Sequence, residues 1–346
     1  MEIMFTTESV ITSFCIHAIM IAHFGTVGGK DVDEIILDNG TISCSVLTYG
    51  CILRTLNIPD RDGNPVDVVL GYDGIDDYRD RSGRLGAVIG RFANRISNAS
   101  FPLNGRVVRV TENRPPNHIH GGNEGFDRKI WVIEGSDDDH VVFAYTSEDG
   151  EEGYPGRMDV RVTYSLEAMS LSIRYEAVSD SDTVCNLTNH SYFNLGGGGD
   201  ITDHKVSIGA GRYTPSEAGI PTGEIAAVSG RMDLRGPKVL GDVMGDGYDD
   251  NYLLDPGGRC ECSCGRTGIA MAVETDMPAV QFYTGGGLKD GTSGKNGRTI
   301  GRYSGLCFET QFCPDSPNHP NFPSSVLRKG ERYDHLTVLR FRNDYH

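Results

Sequence analysis

The sequence predicts an all-β fold, and three observations point to a large antiparallel β-sandwich. Apolar and polar residues alternate with period two in the segments MDVRVTYSL and LSIRYEAV, as they do in strands with one buried face. Glycine accounts for 45 of the 346 residues, well above the average of about 7%, which favours a turn-rich protein. No segment keeps a helical apolar period over the length of an ordinary helix. Short strands separated by turns are typical of a sandwich.

The same alternation places the strands along the chain. The residues expected on the buried faces of the two clearest strands are Val160, Val162, Tyr164, Leu166, Leu171, Ile173, Tyr175 and Ala177. Other β-prone segments lie at 34–37, 42–47, 106–110, 141–146, 205–208, 269–274, 280–283 and 336–341. Turn residues such as Asn104-Gly105 separate them. The glycine-rich segment Gly285 to Gly301 is expected to be an exposed loop.

No linker, repeat or compositional break divides the body of the chain. Hydrophobic residues make up 38% of the sequence, which is enough for a sizeable core. We therefore expect one domain over residues 23–346, preceded by an N-terminal extension over residues 1–22. The sequence leaves open whether the protein is a monomer or a homodimer.

Charge and hydropathy exclude two classes of partner. The formal net charge is −16, whereas a protein that binds nucleic acid needs clustered cations, so we expect no nucleic acid. No apolar run reaches the roughly 18 residues of a membrane span, so we expect no membrane. The stretch Ile11 to Ala22 resembles the core of a signal peptide, but no basic residue precedes it. A cytoplasmic location is therefore expected, with secretion as the alternative.

The nine cysteines do not form the pattern of a disulfide-stabilised protein. Their number is odd and they are scattered over the chain, which suits a reducing compartment. The one cluster, Cys260, Cys262 and Cys264, puts three thiols on one side of a strand. Structural zinc wants a fourth ligand and wider spacing. We interpret the cluster as a surface hairpin, with a metal site as the alternative.

Four short segments concentrate polar and ionisable residues that a sandwich core does not require. GRFANRI contains Asn94 and Arg95. The planar guanidinium of Arg95 can donate hydrogen bonds to hydroxyls or to a carboxylate. NHIHGG contains His120, and its two histidines could bind a metal, although no third ligand follows at a telling distance. TNHSYFNL contains His190, an acid or base suited to neutral pH. LCFETQ contains Glu309, which faces either a cleft or water. Taken singly, each is a weak signal that a structural role would also explain.

The order of these segments carries more information than any one of them. The segments DVVLGYDGIDDY, GAVIGRFANRI, HIHGGNEGFDRKIW, SEDGEEGYPG, NLTNHSYFNL, PTGEI, GYDDNY, QFYTGG and LCFETQFCPDSPN together resemble the aldose 1-epimerase family, also called galactose mutarotases. The resemblance covers residues 24–341. It implies a β-sandwich of the galactose mutarotase type, a free aldohexose as substrate, isomerase activity in hexose metabolism, and neither cofactor nor metal.

The resemblance also implies roles for individual residues. Glu309 corresponds to the family's general base and His190 to its general acid. The residues that correspond to sugar ligands, or that lie beside the acid, are Asn94, Arg95, His120, Tyr192, Asp249 and Gln281. Where the family commonly has Asp-His, this chain has two consecutive carboxylates, so Asp249 competes with Asp250 for the sugar. At their reference pKa values, Glu309 is ionised at pH 7 and His190 is protonated with the help of a carboxylate.

Two other functions are compatible with the same fold. A carbohydrate-binding or regulatory protein could keep the cleft without turnover, but an intact Glu309 and His190 argue against it. A hexose 6-phosphate 1-epimerase should carry a basic cluster for the phosphate, which Arg91 and Arg95 alone do not make.

Overall fold

The protein is described by a computed structural model over residues 20–81 and 83–343. Three sheets of nine, five and five strands dominate the described residues, and their strands pair antiparallel. The two α-helices are short, spanning Ile75–Asp80 and Leu240–Val243. The prediction of an all-β fold is therefore confirmed. Of the signal-peptide-like stretch, residues 11–19 lie outside the described residues, as does Cys15.

The three sheets are built from the following strands, each given in spatial order. The nine-stranded sheet contains Val132–Asp137, His140–Ser147, Met158–Glu167, Ser170–Ser179, Arg332–Arg342, Ala270–Thr275, Cys260–Ser263, Lys205–Ile208 and Lys238–Val239. The N-terminal sheet contains Met20–Val27, Lys30–Asp38, Ser43–Leu47, Ile52–Pro59 and Pro65–Asp67. The C-terminal sheet contains Ala226–Ala227, Arg212–Thr214, Asp249–Leu253, Ala279–Tyr283 and Cys307–Gln311.

Short two-stranded ribbons and single helical turns complete the described structure. The ribbons pair His118–Ile119 with Arg95–Ile96, Thr183–Val184 with Val326–Leu327, Thr188–Asn189 with Val88–Ile89, Ser216–Glu217 with Ile220–Pro221, Thr292–Ser293 with Thr299–Ile300, and Ser100–Leu103 with Arg106–Arg109. The 3₁₀ turns span Ser97–Ala99, Phe126–Arg128, Glu151–Gly153, Gly230–Met232, Lys295–Gly297 and Ser316–Asn318.

The nine-stranded sheet follows the predicted alternation. Apolar residues of its two central strands pair directly across the ladder, as Val160 with Ala177, Val162 with Tyr175, Tyr164 with Ile173, and Leu166 with Leu171. All eight are buried, whereas most of the residues between them are partly or fully exposed. Because side chains alternate faces along a strand, one register puts the whole apolar set on the inner face.

One apolar core joins the three sheets. It contains Ile35 and Leu37 of the N-terminal sheet, Val162 of the nine-stranded sheet, and Phe282 and Phe308 of the C-terminal sheet. Burying each such side chain contributes about 1.5–3 kcal/mol. The sheets therefore pack face to face as a sandwich, as predicted.

Three local features refine the sequence expectations. The first strand begins at Met20 and pairs with Ile36, so residues 20–22 of the predicted extension belong to the N-terminal sheet. The residues Cys260, Cys262 and Cys264 are buried in the core, so the interpretation as a surface hairpin is wrong: the thiols lie on the inner face of their strand. Among the described helices, none has the length and apolar character needed to cross a membrane.

The segment Gly285 to Gly301 is more ordered than the exposed loop predicted. It contains the Thr292–Ser293 and Thr299–Ile300 ribbon around the Lys295–Gly297 turn. Lys295 is buried, and its Nζ lies 2.7 Å from Asp67 Oδ2. A buried cation needs a paired anion, and this pair fastens the segment to the N-terminal sheet. Glycine content alone does not reveal such an anchor.

Candidate active site

A cavity of about 610 Å³ opens beside the C-terminal sheet. Seven of the eight residues predicted for the site line it: Asn94, Arg95, His120, His190, Tyr192, Asp249 and Glu309. The eighth, Gln281, lies behind Asp249 in a small adjoining recess. Residues that are far apart in the sequence thus meet at one surface of the fold.

The C-terminal sheet positions the carboxylate of Glu309. Across the last three strands of this sheet, Asn251, Gln281 and Glu309 face one another in a row, with Glu309 on the edge strand. The next residues along two of these strands, Phe282 and Phe308, point to the other face and stack in the core with their centroids 5.2 Å apart. Because side chains alternate between the two faces of a strand, apolar residues pack in the core on one face and polar groups point to the other. Glu309 is only 2% exposed, and its Oε2 has no hydrogen-bond partner among the described residues.

His190 lies opposite Glu309 at the end of a short ribbon strand. Its backbone N–H donates to the carbonyl of Ala87 at 2.8 Å. The ring atom Nε2 lies 3.7 Å from Glu309 Oε1, and Nδ1 lies 3.6 Å from the sulfur of Cys307. The imidazole thus has one nitrogen toward the carboxylate and the other toward a buried thiol.

Two aromatic rings hold the imidazole of His190 in place. Tyr192 stacks on it with the centroids 5.0 Å apart and the planes 24° from parallel. His120 meets it edge to face, with the centroids 5.4 Å apart. Such packing restricts ring rotation and keeps Nε2 directed at Glu309.

A turn with left-handed backbone brings Asn94 and His120 together. Their φ angles are +62° and +52°, a conformation that side chains with local hydrogen bonds tolerate best. The N–H of His120 donates to the carbonyl of Asn94 at 2.9 Å, and the N–H of Asn94 donates to His120 Nδ1 at 3.1 Å. Because Nδ1 is an acceptor, the His120 proton lies on Nε2. A Cβ at Gly121 would lie 1.8 Å from the carbonyl oxygen of Gly90, so the glycine after His120 is required by close approach.

The two consecutive carboxylates of the GYDDNY segment point in different directions. Asp249 lines the cavity, where its Oδ1 accepts a hydrogen bond from Gln281 Nε2 at 2.8 Å. Asp250 lies on the opposite face of the strand, with Oδ2 at 3.3 Å from the guanidinium of Arg231. The geometry therefore places Asp249, and not Asp250, beside the other cavity residues.

Burial disfavours charge on both central groups. It raises the pKa of Glu309 well above its usual range, with Asp249 adding to the rise and Arg84 opposing it. It lowers the pKa of His190 to about 3, and the cation of Arg84 adds to that effect. This differs from the sequence expectation of an ionised Glu309 beside a protonated His190. Between the two pKa values the pair holds one proton, and desolvation places that proton on Glu309.

Several cavity residues were not among the predicted site residues. Arg84 lies between two recognised motifs, and its guanidinium is 3.0 Å from the buried carboxylate of Asp127, which lies inside HIHGGNEGFDRKIW. The other residues of this kind are Tyr72, Arg81, Arg114, Tyr283 and Lys289. Tyr283 ends a strand of the C-terminal sheet, and the others come from segments that only the tertiary fold brings to that sheet. Tyr72 and Tyr283 lie inside the recognised motifs DVVLGYDGIDDY and QFYTGG, whereas the cations lie outside the recognised motifs.

Two groups of side chains among the described residues could offer ligand atoms to a metal ion. His190, Cys307 and Glu309 place three such atoms within 4.8 Å of one another. However, the thiol lies beside Nδ1 of the imidazole and the carboxylate lies beside Nε2. An ion bound to either ring nitrogen would therefore have only one of the other two groups on its side of the ring. Burial also raises the pKa of the Cys307 thiol well above its usual value, and a thiol binds metal poorly until it is deprotonated.

The second group, Asp203, His204 and Cys264, includes one thiol of the cysteine cluster. Both nitrogens of His204 are already hydrogen-bonded. Its Nδ1 lies 2.8 Å from Asp203 Oδ1, and its Nε2 accepts the N–H of Leu195 at 3.0 Å. These contacts fit a structural role for the histidine.

The fold and the cavity define a class: β-sandwich proteins in which a buried carboxylate faces an imidazole. Comparison with known proteins makes the class specific. Residues 33–340 match the family model described as aldose 1-epimerase. The chain is 42% identical to the galactose mutarotases of Mus musculus and of Homo sapiens, over 91% of this chain and 95% of each relative.

A solved structure agrees with this match. The crystal structure of an aldose epimerase homologue from C. elegans superimposes with a TM-score of 0.85 and 27% identity, covering 90% of this chain and 99% of that one. The chain belongs to the aldose 1-epimerase family. It is an isomerase, and its predicted fold of the galactose mutarotase type is confirmed.

Proposed function

We propose that this aldose 1-epimerase interconverts the α and β anomers of free aldohexoses such as galactose and glucose, with Glu309 as general base and His190 as general acid. The single observation that carries the proposal is the approach of His190 Nε2 to Glu309 Oε1, at 3.7 Å, on the floor of one cavity. The two oxygens that exchange protons in the reaction, O1 and O5, are bonded to the same carbon. Two groups this close can therefore serve both oxygens.

Ring opening involves two proton transfers, one from the C1 hydroxyl to Glu309 and one from His190 to the ring oxygen O5. Glu309 removes the proton of the C1 hydroxyl, the C1–O5 bond breaks as C1 becomes a carbonyl carbon, and His190 delivers its proton to O5. Rotation about the C1–C2 bond then presents the other face of the carbonyl to the C5 hydroxyl, and the two residues exchange roles as the ring closes.

The buried pair suits this exchange of protons. Before ring opening, Glu309 must be ionised and His190 protonated; afterwards the pair is neutral. Because burial raises the pKa of Glu309 and lowers that of His190, the surroundings favour the neutral arrangement that ring opening produces. Paired acid and base assistance of this kind typically contributes about 10² to 10⁴ in rate.

The remaining cavity residues would hold the sugar hydroxyls. We assign this role to Asn94, Arg95, His120 and Asp249, with Tyr192 flanking the ring. Gln281 acts through its hydrogen bond to Asp249 rather than from the main cavity. Side chains that bind hydroxyls away from C1 leave that carbon free to rotate.

Polarimetry with freshly dissolved sugars tests the proposal. The protein should accelerate the mutarotation of α-D-galactose and α-D-glucose in proportion to its concentration. Sugar binding by calorimetry without any acceleration would instead support the carbohydrate-binding alternative. Acceleration with glucose 6-phosphate but with neither free sugar would support the phosphate-specific alternative.

Location and domain boundaries belong to the same proposal. We propose a cytoplasmic protein whose residues 23–346 form one domain. All eight cysteines among the described residues are free and buried, which suits a reducing compartment. N-terminal sequencing of the protein from its native source would reveal cleavage within residues 1–22 if the chain were secreted.

A further inference from the structure

The charge of the cavity is opposite to that of the whole protein. Among the described residues, five cationic side chains line it, against three acidic ones, in a chain whose formal net charge is −16. The cations are Arg81, Arg84, Arg95, Arg114 and Lys289, and the acids are Asp80, Asp249 and Glu309. One of the acids, Asp80, is itself bound to the guanidinium of Arg79 at 2.6 Å. A cationic concave surface within an anionic protein is a local feature that net charge does not reveal.

Two of these cations are exposed and are not used by the fold. Arg81 and Arg84 are paired, with Asp77 and Asp127 respectively. By contrast, the side chains of Arg114 and Lys289 make no ion pair or hydrogen bond with any residue in the two described ranges, and both residues are exposed. Their charges are therefore free for a ligand. They also come from different parts of the chain, the loop before His118 and the segment after Tyr283.

Depth in the cavity separates these cations from the reacting groups. Glu309 is 2% exposed and His190 is 6% exposed, so a bound aldose places C1 on the floor. Arg114 and Lys289 line the same cavity at exposed positions, which we call its rim, so substituents remote from C1 would be the ones to reach them. A neutral hydroxyl there gains little from an unpaired cation, whereas a carboxylate or a phosphoryl oxygen gains a charge-assisted hydrogen bond.

We propose that the cavity also accepts aldoses that carry an anionic group remote from C1, a carboxylate or a phosphoryl group, attracted by Arg114 and Lys289 at its rim. This inference rests on the proposed function, because it uses the same floor residues and the same reaction. It widens the substrate class from neutral hexoses to hexuronates or hexose phosphates. The rim contributes by raising the local concentration of the anion and by holding it once bound.

Matched pairs of sugars test the proposal on the intact chain. Each anionic aldose is compared with its neutral counterpart: D-galacturonate with D-galactose, and D-glucose 6-phosphate with D-glucose. Exchange between anomers at equilibrium can be followed by NMR, which gives kcat/KM for each sugar. The two arms distinguish a carboxylate from a phosphoryl group.

The decisive variant is the double substitution Arg114→Gln and Lys289→Gln. Its control is Arg106→Gln with Lys238→Gln, which removes the same charge from exposed positions that do not line the cavity. We expect the rim variant to lower the ratio of anionic to neutral kcat/KM by about three- to tenfold in at least one arm, as for exposed charge pairs. The control should leave the ratio within about twofold.

Ionic strength provides an independent readout. Because salt screens exposed charges over about 10 Å at 0.1 M, added NaCl should lower kcat/KM for the anionic sugar and leave the neutral sugar unaffected. The rim variant should lose that dependence. An unchanged ratio in both arms, or an equal fall in the control variant, overturns the proposal. If D-galactose and D-glucose are not turned over at all, the proposed function fails instead, and the two failures are thus distinguishable.

Discussion

The nine-stranded sheet and the C-terminal sheet share one core but treat buried polar groups differently. Among the described residues, ten buried side-chain polar atoms have no hydrogen-bond partner, and none of them belongs to the nine-stranded sheet. Half of them belong to four residues of the C-terminal sheet: Asn251, Gln281, Glu309 and Gln311. Leaving a buried polar atom unpaired costs about 1–3 kcal/mol. Of these four residues, only Glu309 lines the main cavity. The C-terminal sheet thus leaves its candidate reacting carboxylate unpaired, whereas the described part of the nine-stranded sheet leaves no buried side-chain polar atom unpaired.

The strongest way to break this comparison is to remove the reacting groups of the C-terminal sheet. Glu309→Gln and His190→Asn should each lower kcat by about 10² to 10⁴, with a smaller effect on KM. Polarimetry with α-D-galactose measures both constants. Glu167→Gln, on an exposed strand end of the nine-stranded sheet, is the matched control and should leave kcat unchanged. Near-normal turnover by Glu309→Gln or His190→Asn would remove that residue from its role.

A core truncation in the nine-stranded sheet should have the opposite profile. Leu171 is fully buried and pairs with Leu166. Leu171→Ala should lower the free energy of unfolding by about 2–5 kcal/mol, because it removes apolar contacts and leaves a cavity. Urea unfolding measures this loss, and kcat and KM well below the melting temperature should match those of the wild type. A large change in KM would show that the two sheets are not separable.

The two consecutive carboxylates offer a sharper comparison within one strand. Asp249→Asn should raise KM for galactose by about 10- to 100-fold, the range expected when a hydrogen bond to a charged group is lost. Asp250→Asn is the internal control, because Asp250 faces Arg231 on the other side of the sheet. Initial-rate kinetics decide between them. Equal effects of the two substitutions would contradict the placement of Asp249 alone in the sugar site.

The smallest effect expected is a pH-dependent stability difference at Glu309. Because the folded-state pKa of this residue is raised, the folded protein binds a proton that the unfolded chain releases above about pH 4.5. The contribution of Glu309 to wild-type stability should therefore fall as pH rises above that value, by at most about 1.4 kcal/mol per pH unit. The lowered pKa of His190 acts in the opposite direction, but His190 is present in both proteins, so the difference between wild type and variant reports Glu309. Glu309→Gln lacks this loss. The free energy of unfolding of the variant, measured by urea titration, should thus increase relative to that of the wild type as pH rises. A difference between the two free energies that stays constant from pH 4 to 8 would contradict a raised pKa.

Sequence alternation was a reliable guide to the nine-stranded sheet and a partial one to the active site. Strands such as Met158–Glu167 are recognisable because a side-chain period of two is a local property of the chain. The order of the motifs predicted eight site residues, and the fold places seven of them around one cavity. Gln281 lies behind Asp249 in the adjoining recess. Its position depends on how the two neighbouring strands pair, which the sequence does not reveal.

The largest errors concerned groups whose surroundings come from distant parts of the chain. The expected charge states of Glu309 and His190 used reference pKa values, but desolvation by surrounding elements shifts both the other way. The segment after Tyr283 was expected to be an exposed loop, yet the buried pair of Lys295 with Asp67 fastens it. Neither burial nor pairing of this kind can be derived from local composition.

The sequence by itself determined the fold class, the strands with one buried face, the family resemblance and the identity of the candidate acid and base. These depend on local periodicity and on the order of motifs along the chain. Only the tertiary structure decided that Asp249 rather than Asp250 faces the cavity, that Cys264 is buried, and that cations from separate loops line the rim. The physical reason is that distance, desolvation and charge pairing depend on residues far apart in the sequence, and folding alone brings those residues together.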